Sequence, residues 1–145
     1  MKRTLILSLI CTGLVGPAMA RDTVVHLPFD ALLQSPEALK KLDGSVQFFL
    51  AGQPTPKVLE RKGEGVANSK TNGFNKDVTT GCQWAGLSAL IELQQKAKEV
   101  GANAVIDIVS YYKKNVYSST TEYECHDGVL ITGVALKGSL AKLKK

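Results

Sequence analysis

Between Cys82 and Tyr112 the hydrophobic period of the chain changes once. At 100° per residue, Gly86, Leu87, Ala89, Leu90, Ile91, Leu93, Ala97 and Val100 gather on one broad face, while Ser88, Glu92, Gln95, Lys96, Lys98 and Glu99 gather mainly on the other. This pattern predicts an amphipathic helix over Cys82–Val100. Thr80 stands three residues before Gln83, the spacing of a capping box, and Gly101 tolerates a left-handed C-terminus. The run Ala-Val-Ile-Asp-Ile-Val that follows is too short and too β-branched for another helix. It predicts a strand over Ala104–Tyr112, returning antiparallel to the helix after a tight Gly101–Asn103 connection.

Elsewhere the patterns are shorter. Thr23–His26 is β-prone and ends at Pro28, and Ser35-Pro36-Glu37 opens a short helix over Pro36–Leu42, with Ser as cap and Pro in the first turn. Ser45–Leu50 reads as a strand broken by Gly52 and Pro54-Thr55-Pro56. Val58–Arg61 and Val66–Thr71 are weaker strands, with Gly63 and Gly65 marking a turn or bulge between them. Asn72-Gly73 and Lys113-Asn115 read as turns, Val116–Glu124 alternates without an apolar face, and Val129–Leu136 is a second strongly apolar strand. Together these predict an α/β chain of α+β type: a mostly antiparallel sheet, one long helix across a face, and a second short helix.

The first twenty residues carry a different pattern. Basic Met1-Lys2-Arg3, apolar Thr4–Gly16 and the small-x-small triplet Ala18-Met19-Ala20 predict a signal peptide cleaved after Ala20. The apolar run is shorter than the roughly 20 residues a membrane span needs. Cys11 lies inside that run after Ile10, where a lipoprotein signal wants a small residue. Residues 21–145 then form a single exported domain with no stable membrane anchor, expected in the periplasm. With Lys2 and Arg3 removed, 16 of the 18 basic residues face 13 acidic ones, a mild net charge of +3. Lys137, Lys142, Lys144 and Lys145 read as a solvated tail, and no aromatic–basic motif points to nucleic acid.

Cleavage removes Cys11 and leaves Cys82 and Cys125, and two cysteines in an oxidising compartment are expected to pair. Other chemistry is thin. Glu64–Thr71 ends in Lys-Thr like a phosphate loop, but Glu64 and Ser69 stand where its glycines belong, which excludes ATP as a cofactor. His126, with Asp127, Glu122 and Glu124 nearby, offers metal donors, yet no Cys-x-x-Cys or His-x-x-x-His spacing exists and His26 is remote. A polar hairpin explains the same residues, and no metal site or cofactor is assigned. Asp107, the one charge in an apolar strand, is either a perturbed catalytic carboxylate or a solvent-facing residue. No catalytic residue is assigned. Trp84, Tyr111, Tyr112 and Tyr123 either line a ligand groove or pack.

At Lys96–Val105, KAKEVGANAV, a helix ending in Ala-x-x-x-Gly-Ala-Asn-Ala-Val and running into a strand resembles the YbjQ-like and RcsF-like group of small α/β domains. RcsF-like envelope proteins place one cysteine before the helix and another entering the last strand, where this chain has Cys82 and Cys125. The ending Ile131–Leu136, ITGVAL, is similar to their final Gly-x-Ala-hydrophobic strand. The resemblance covers about residues 82–136. This chain lacks the sensors' lipid-bearing cysteine and second cysteine pair. Exported chains of this layout also resemble a group labelled "excinuclease ATPase subunit", a label that the defective phosphate loop and the export signal do not support. The resemblance implies a non-enzymatic binding or envelope-stress accessory domain whose partner is an envelope protein or a small ligand. A metal-binding protein and an enzyme are the alternatives.

The cysteine pair and the sheet register are linked. If Val116–Glu124 paired directly with Ala104–Tyr112, Cys125 would lie at the far end of an 18-residue helix, roughly 27 Å from Cys82. A disulfide needs Cα atoms within about 7 Å. The disulfide register instead pairs Val129–Leu136 with Ala104–Tyr112 and sends Lys113–Asp127 beyond the sheet, its return leg passing Cys82. The apolar residues favour this second arrangement.

Overall fold

The computed structural model describes Gly16 and residues 22–145; apart from Gly16, the expected signal peptide lies outside the described residues. The central helix, α3, spans Val78–Glu99 and starts four residues before Cys82. Asp77, rather than Thr80, is the cap: its carboxylate accepts the Thr80 amide at 3.1 Å and the Thr80 hydroxyl at 2.6 Å. The Thr80 hydroxyl and then its amide hold the Asp77 carboxyl below the usual carboxylate range. At the other end Gly101 takes φ 72°, and the Ala102 amide donates back to the Ala97 carbonyl at 2.8 Å. Gly86, Leu87, Ala89, Leu90, Leu93 and Ala97 are buried as the pattern requires, and Ile91 is half-buried. Val100 is not; it lies past the last helical turn and is exposed.

Six strands form one sheet. In chain order they are β1 (Asp22–Pro28), β2 (Gln47–Leu50), β3 (Val58–Asn72), β4 (Ala104–Ser110), β5 (Glu122–Gly128) and β6 (Ile131–Leu143). Two short helices, α1 (Phe29–Leu33) and α2 (Pro36–Lys41), follow β1, and the Ser35 hydroxyl caps α2 by accepting the Ala38 amide. The fold is α+β, with every strand pair antiparallel except β2 beside β4. The sequence pattern missed α1, a single turn between Pro28 and Ser35 that buries Phe29 and Leu32.

β6 is the axis of the sheet. One edge pairs with β3 from Ile131 to Leu143; the other pairs with β5 at Thr132 and Gly133 and with β4 from Leu136 to Ala141. The two weak strands expected around Gly63 are therefore one strand, β3, whose register shifts between Arg61 and Glu64 where Gly63 takes φ 115°. Of the lysine-rich C-terminus only Lys144 and Lys145 lie beyond the sheet, exposed. Lys137 and Lys142 belong to β6, and Leu140, Ala141 and Leu143 between and beside them are buried. β4 consequently pairs with residues 136–141 rather than with Val129–Leu136 as a whole. Asn103 secures that end: its side-chain oxygen accepts the Leu143 amide at 2.7 Å and its side-chain nitrogen donates to the Leu143 carbonyl at 3.0 Å.

The main core lies between α3 and the sheet, and a smaller cluster of Ala104, Ile106, Ala141 and Leu143 forms on the opposite face. Cys82 in α3 bonds Cys125 in β5 with Cα atoms 5.8 Å apart, both fully buried. The excursion beyond β4 and its return past Cys82 are as the disulfide register requires. Closing a loop over a separation of 43 residues is worth about 4 kcal/mol in a chain-entropy account. Replacing both cysteines with alanine is expected to lower unfolding stability by roughly that amount in urea titration, with little change in the native circular dichroism spectrum.

Candidate functional site

β1 and β5 pair so that His26 stands opposite Glu124 and Val24 opposite His126. Alternation then divides β5 in two: Tyr123 and Cys125 point into the core, and Glu122, Glu124 and His126 point to the other face. Both histidines of the chain meet on one carboxylate. Glu124 Oε1 lies 2.7 Å from His126 Nε2, and Glu124 Oε2 lies 3.3 Å from His26 Nε2. His126 Nδ1 is buried and 3.4 Å from the Asp22 carboxylate, within ion-pair reach but without hydrogen-bond geometry.

The connection between β4 and β5 folds over this cluster. Lys113 and Lys114 take successive left-handed conformations, φ 50° and 65°, turning the chain back so that Tyr117 bridges to Ser110. Tyr112 stacks on His126 with ring centroids 3.6 Å apart, and Tyr117 stacks on His26 at 4.1 Å. Gly133, the partner of His126 across β5–β6, makes room for the first stack: a Cβ there would sit 3.1 Å from the Tyr112 ring. The Ser110 hydroxyl accepts the Glu124 amide at 2.9 Å. The result is an ordered row, Tyr117–His26–Glu124–His126–Tyr112. Beside it opens a cleft of about 270 Å³, lined by Asp22, Lys70, Tyr112, Lys113, His126 and Ile131.

Of the residues flagged by the sequence, His126, Glu124, Glu122 and Tyr112 come together here. His26, set aside as remote, joins them across a separation of 98 residues. The only signal for it was its place in the alternating Thr23–His26 run; the β1–β5 pairing supplies the rest. Asp127 turns away and accepts the Thr132 hydroxyl at 2.8 Å. Glu124 takes up the Nε2 atom of each imidazole, and among the described residues no group of three or more His, Cys, Asp or Glu is arranged to hold a metal ion. Asp107 is the solvent-facing alternative: it sits at a β4 bulge with φ 54° and pairs with Arg61 at 3.1 Å. The Glu64–Thr71 segment is regular β-strand paired to β6, with no turn to cradle a phosphate. Trp84 lies apart on α3 under Lys41.

No family model matches the chain, and no curated protein matches it.

Tyr123, behind the row, is a core residue packed edge-on to Phe29, and its hydroxyl has no hydrogen-bond partner among the described residues. Burial pushes that hydroxyl well above its ordinary pKa. A raised value means stability fully present below about pH 10, the unfolded pKa, and lost as pH rises further because only the unfolded chain ionises readily. Tyr123→Phe is expected to add about 1 kcal/mol at neutral pH by removing an unpaired buried hydroxyl, and to flatten the alkaline fall in stability followed by circular dichroism. Tyr112→Ala removes one stack and is expected to cost about 1 kcal/mol, with faster amide hydrogen exchange confined to residues 111–121.

Proposed function

We propose that this chain is an exported, non-enzymatic binding domain of the cell envelope, RcsF-like in its core, which recognises a small ligand or an envelope protein through the outward face of β1 and β5. The observation that carries the reading is the carboxylate shared by both histidines. Three polar side chains are held in one row by stacking rings on either side, beside an open cleft. The backbone beneath them is fixed from the core side, because Cys125 lies between Glu124 and His126 and is bonded to α3. A site whose side chains and backbone are ordered in advance binds with less entropic cost.

Several features support export and a binding role. Disulfides persist in oxidising compartments, and the N-terminal charge and apolar pattern is that of a signal peptide. Among the described residues no helix is long and apolar enough to cross a membrane. Both imidazole Nε2 atoms are engaged by Glu124, and among the described hydrogen bonds neither imidazole activates a hydroxyl or thiol. The Lys96–Val105 and Ile131–Leu136 resemblance adds the class: envelope accessory rather than enzyme. A second reading, a metal-binding protein, draws on the meeting of His26 and His126 on one carboxylate.

Protein recovered from the periplasmic fraction is expected to begin at Arg21 and to carry no free thiol by mass spectrometry. A photo-crosslinking residue at Val24, beside His126, is expected to give a discrete adduct in cells that one at Leu39 does not. An intact Met1 terminus in reduced cytoplasmic protein would overturn the export reading. Calorimetric titration with zinc separates the two binding readings: a one-to-one site of sub-micromolar affinity, lost in His126→Ala, would put the metal-binding protein in place of the first.

A further inference from the structure

The cleft beside the histidine–carboxylate row is lined by charges of both signs that do not neutralise one another, and the strand register explains how they come together. Lys70 of β3 pairs with Gly133 of β6, and Gly133 pairs with His126 of β5, so three strands set these residues side by side. A Cβ at Gly133 would meet the Tyr112 ring at 3.1 Å and the Lys70 stem at 3.7 Å. Asp22 lies two residues before Val24, the partner of His126, and pairs with Gly128. Gly128 lines the cleft with backbone alone, and Ile131 adds an apolar wall.

Besides His126, the ionisable groups of the lining are the Asp22 carboxylate, the Lys70 and Lys113 amines and the Tyr112 hydroxyl. Among the described ion pairs Asp22 meets only His126, and neither lysine has a carboxylate partner. Asp22 and the two amines therefore stand farther apart than the roughly 4 Å reach of an ion pair. The carboxylates of β5 are engaged elsewhere: Glu124 by both histidines, Glu122 by the Tyr117 hydroxyl and Asp127 by the Thr132 hydroxyl. A simple anion in the cleft would face Asp22, and a simple cation would face two ammonium groups. A ligand carrying both signs meets all three. Two ammonium groups against one carboxylate call for the reverse on the ligand, two carboxylates and one ammonium. The cleft's volume of about 270 Å³ is that of roughly nine waters, room for a small amino acid.

We infer that the cleft binds a dicarboxylic amino acid, with Asp22 taking its ammonium group, Lys70 and Lys113 its carboxylates, and Ile131 and the Tyr112 ring its methylenes. This rests on the binding-domain reading above and names the class of small ligand.

Calorimetric titration of the mature, disulfide-bonded protein tests this with L-glutamate and with glutarate, which keeps both carboxylates and lacks the amine. Glutamate is expected to bind about tenfold more tightly, the scale of one hydrogen bond to a charged group. Asp22→Asn should erase that preference, a change that a general loss of structure would not produce. Lys70→Gln and Lys113→Gln should each weaken glutamate about tenfold on the same scale. Lys144→Gln, beyond the sheet, controls for net charge and should leave binding unchanged, and melting temperatures report any folding defect. Three results overturn the inference: no binding of glutamate at millimolar concentration, equal binding of glutarate, which would make the cleft an anion site only, or a preference for glutamate that survives Asp22→Asn. A discrete crosslinked adduct at Val24 together with any of these would leave the binding-domain reading standing while this assignment of its ligand falls.

Discussion

The structure depends on how β6 divides its second edge. β3 occupies the first edge along its length, but the second is shared, with β5 at Thr132 and Gly133 and β4 from Leu136 onward. Two strands taking consecutive stretches of one edge cannot be joined by a tight hairpin. The chain must leave the sheet after Ser110 and re-enter at Glu122, and residues 111–121 have to lie over a face. The disulfide fixes where re-entry occurs, because Cys125 is held against the first turn and a half of α3. Everything at the candidate site follows from this division. The excursion brings Tyr112 and Tyr117 over β5, and the outer edge of β5, free of β6, is open for β1 and its His26.

Local chemistry sets the finer geometry. Glycines are used where backbones or rings must come close. A Cβ at Gly138 would stand 2.7 Å from Val105 and 3.0 Å from the Ile106 carbonyl, so only glycine lets β6 pass the β4 bulge. The bulge itself turns Asp107 outward at φ 54°, a conformation aspartate accepts better than the β-branched residues around it. The one charge in the apolar strand is thereby explained by backbone geometry. At the end of α3, Lys98 and Ser45 hold Asp43 deprotonated far below the usual carboxylate range, with the Asp43 amide donating to the buried Gln94 side chain. These contacts join the α2–β2 loop to α3 without burying the charge.

What was legible in the sequence was what local pattern encodes. The α3 face, the Gly101 terminus and the β4 run rest on residues close in sequence, and the Cys82–Cys125 pairing rests on there being two cysteines after the signal peptide, with the disulfide's reach then choosing the register. What was not legible is non-local or unconventional in composition. Beyond Leu136 the chain reads KGSLAKLKK, and the buried Leu140, Ala141 and Leu143 of β6 are diluted by half-buried Lys137 and Lys142. His26 looked isolated because its partners lie 98 and 100 positions away, and only the β1–β5 pairing brings them together. The Thr80–Gln83 motif spacing points three residues too far along, because Asp77, with its carboxylate at the helix N-terminus, is the stronger acceptor. Motif spacing located the helix; charge located its start.

The apolar β5–β6 turn and the histidine–carboxylate row differ in character, and the strand register explains why they adjoin. Counting back from the β5–β6 turn, Gly128 and Asp127 lead to His126 within two residues, so an apolar tip and a histidine–carboxylate row fall on consecutive segments of one strand. Ile131 lines both the shallow groove at the tip and the cleft beside His126. A surface that covers Ile131 at the tip therefore also covers one wall of the cleft. The disulfide holds Cys125 in place between Glu124 and His126, so the β5 backbone beneath the row is fixed from the core side. The Tyr112 ring stacks on His126 and passes close over Gly133, the residue paired with His126, so glycine at that position is what lets the ring lie there.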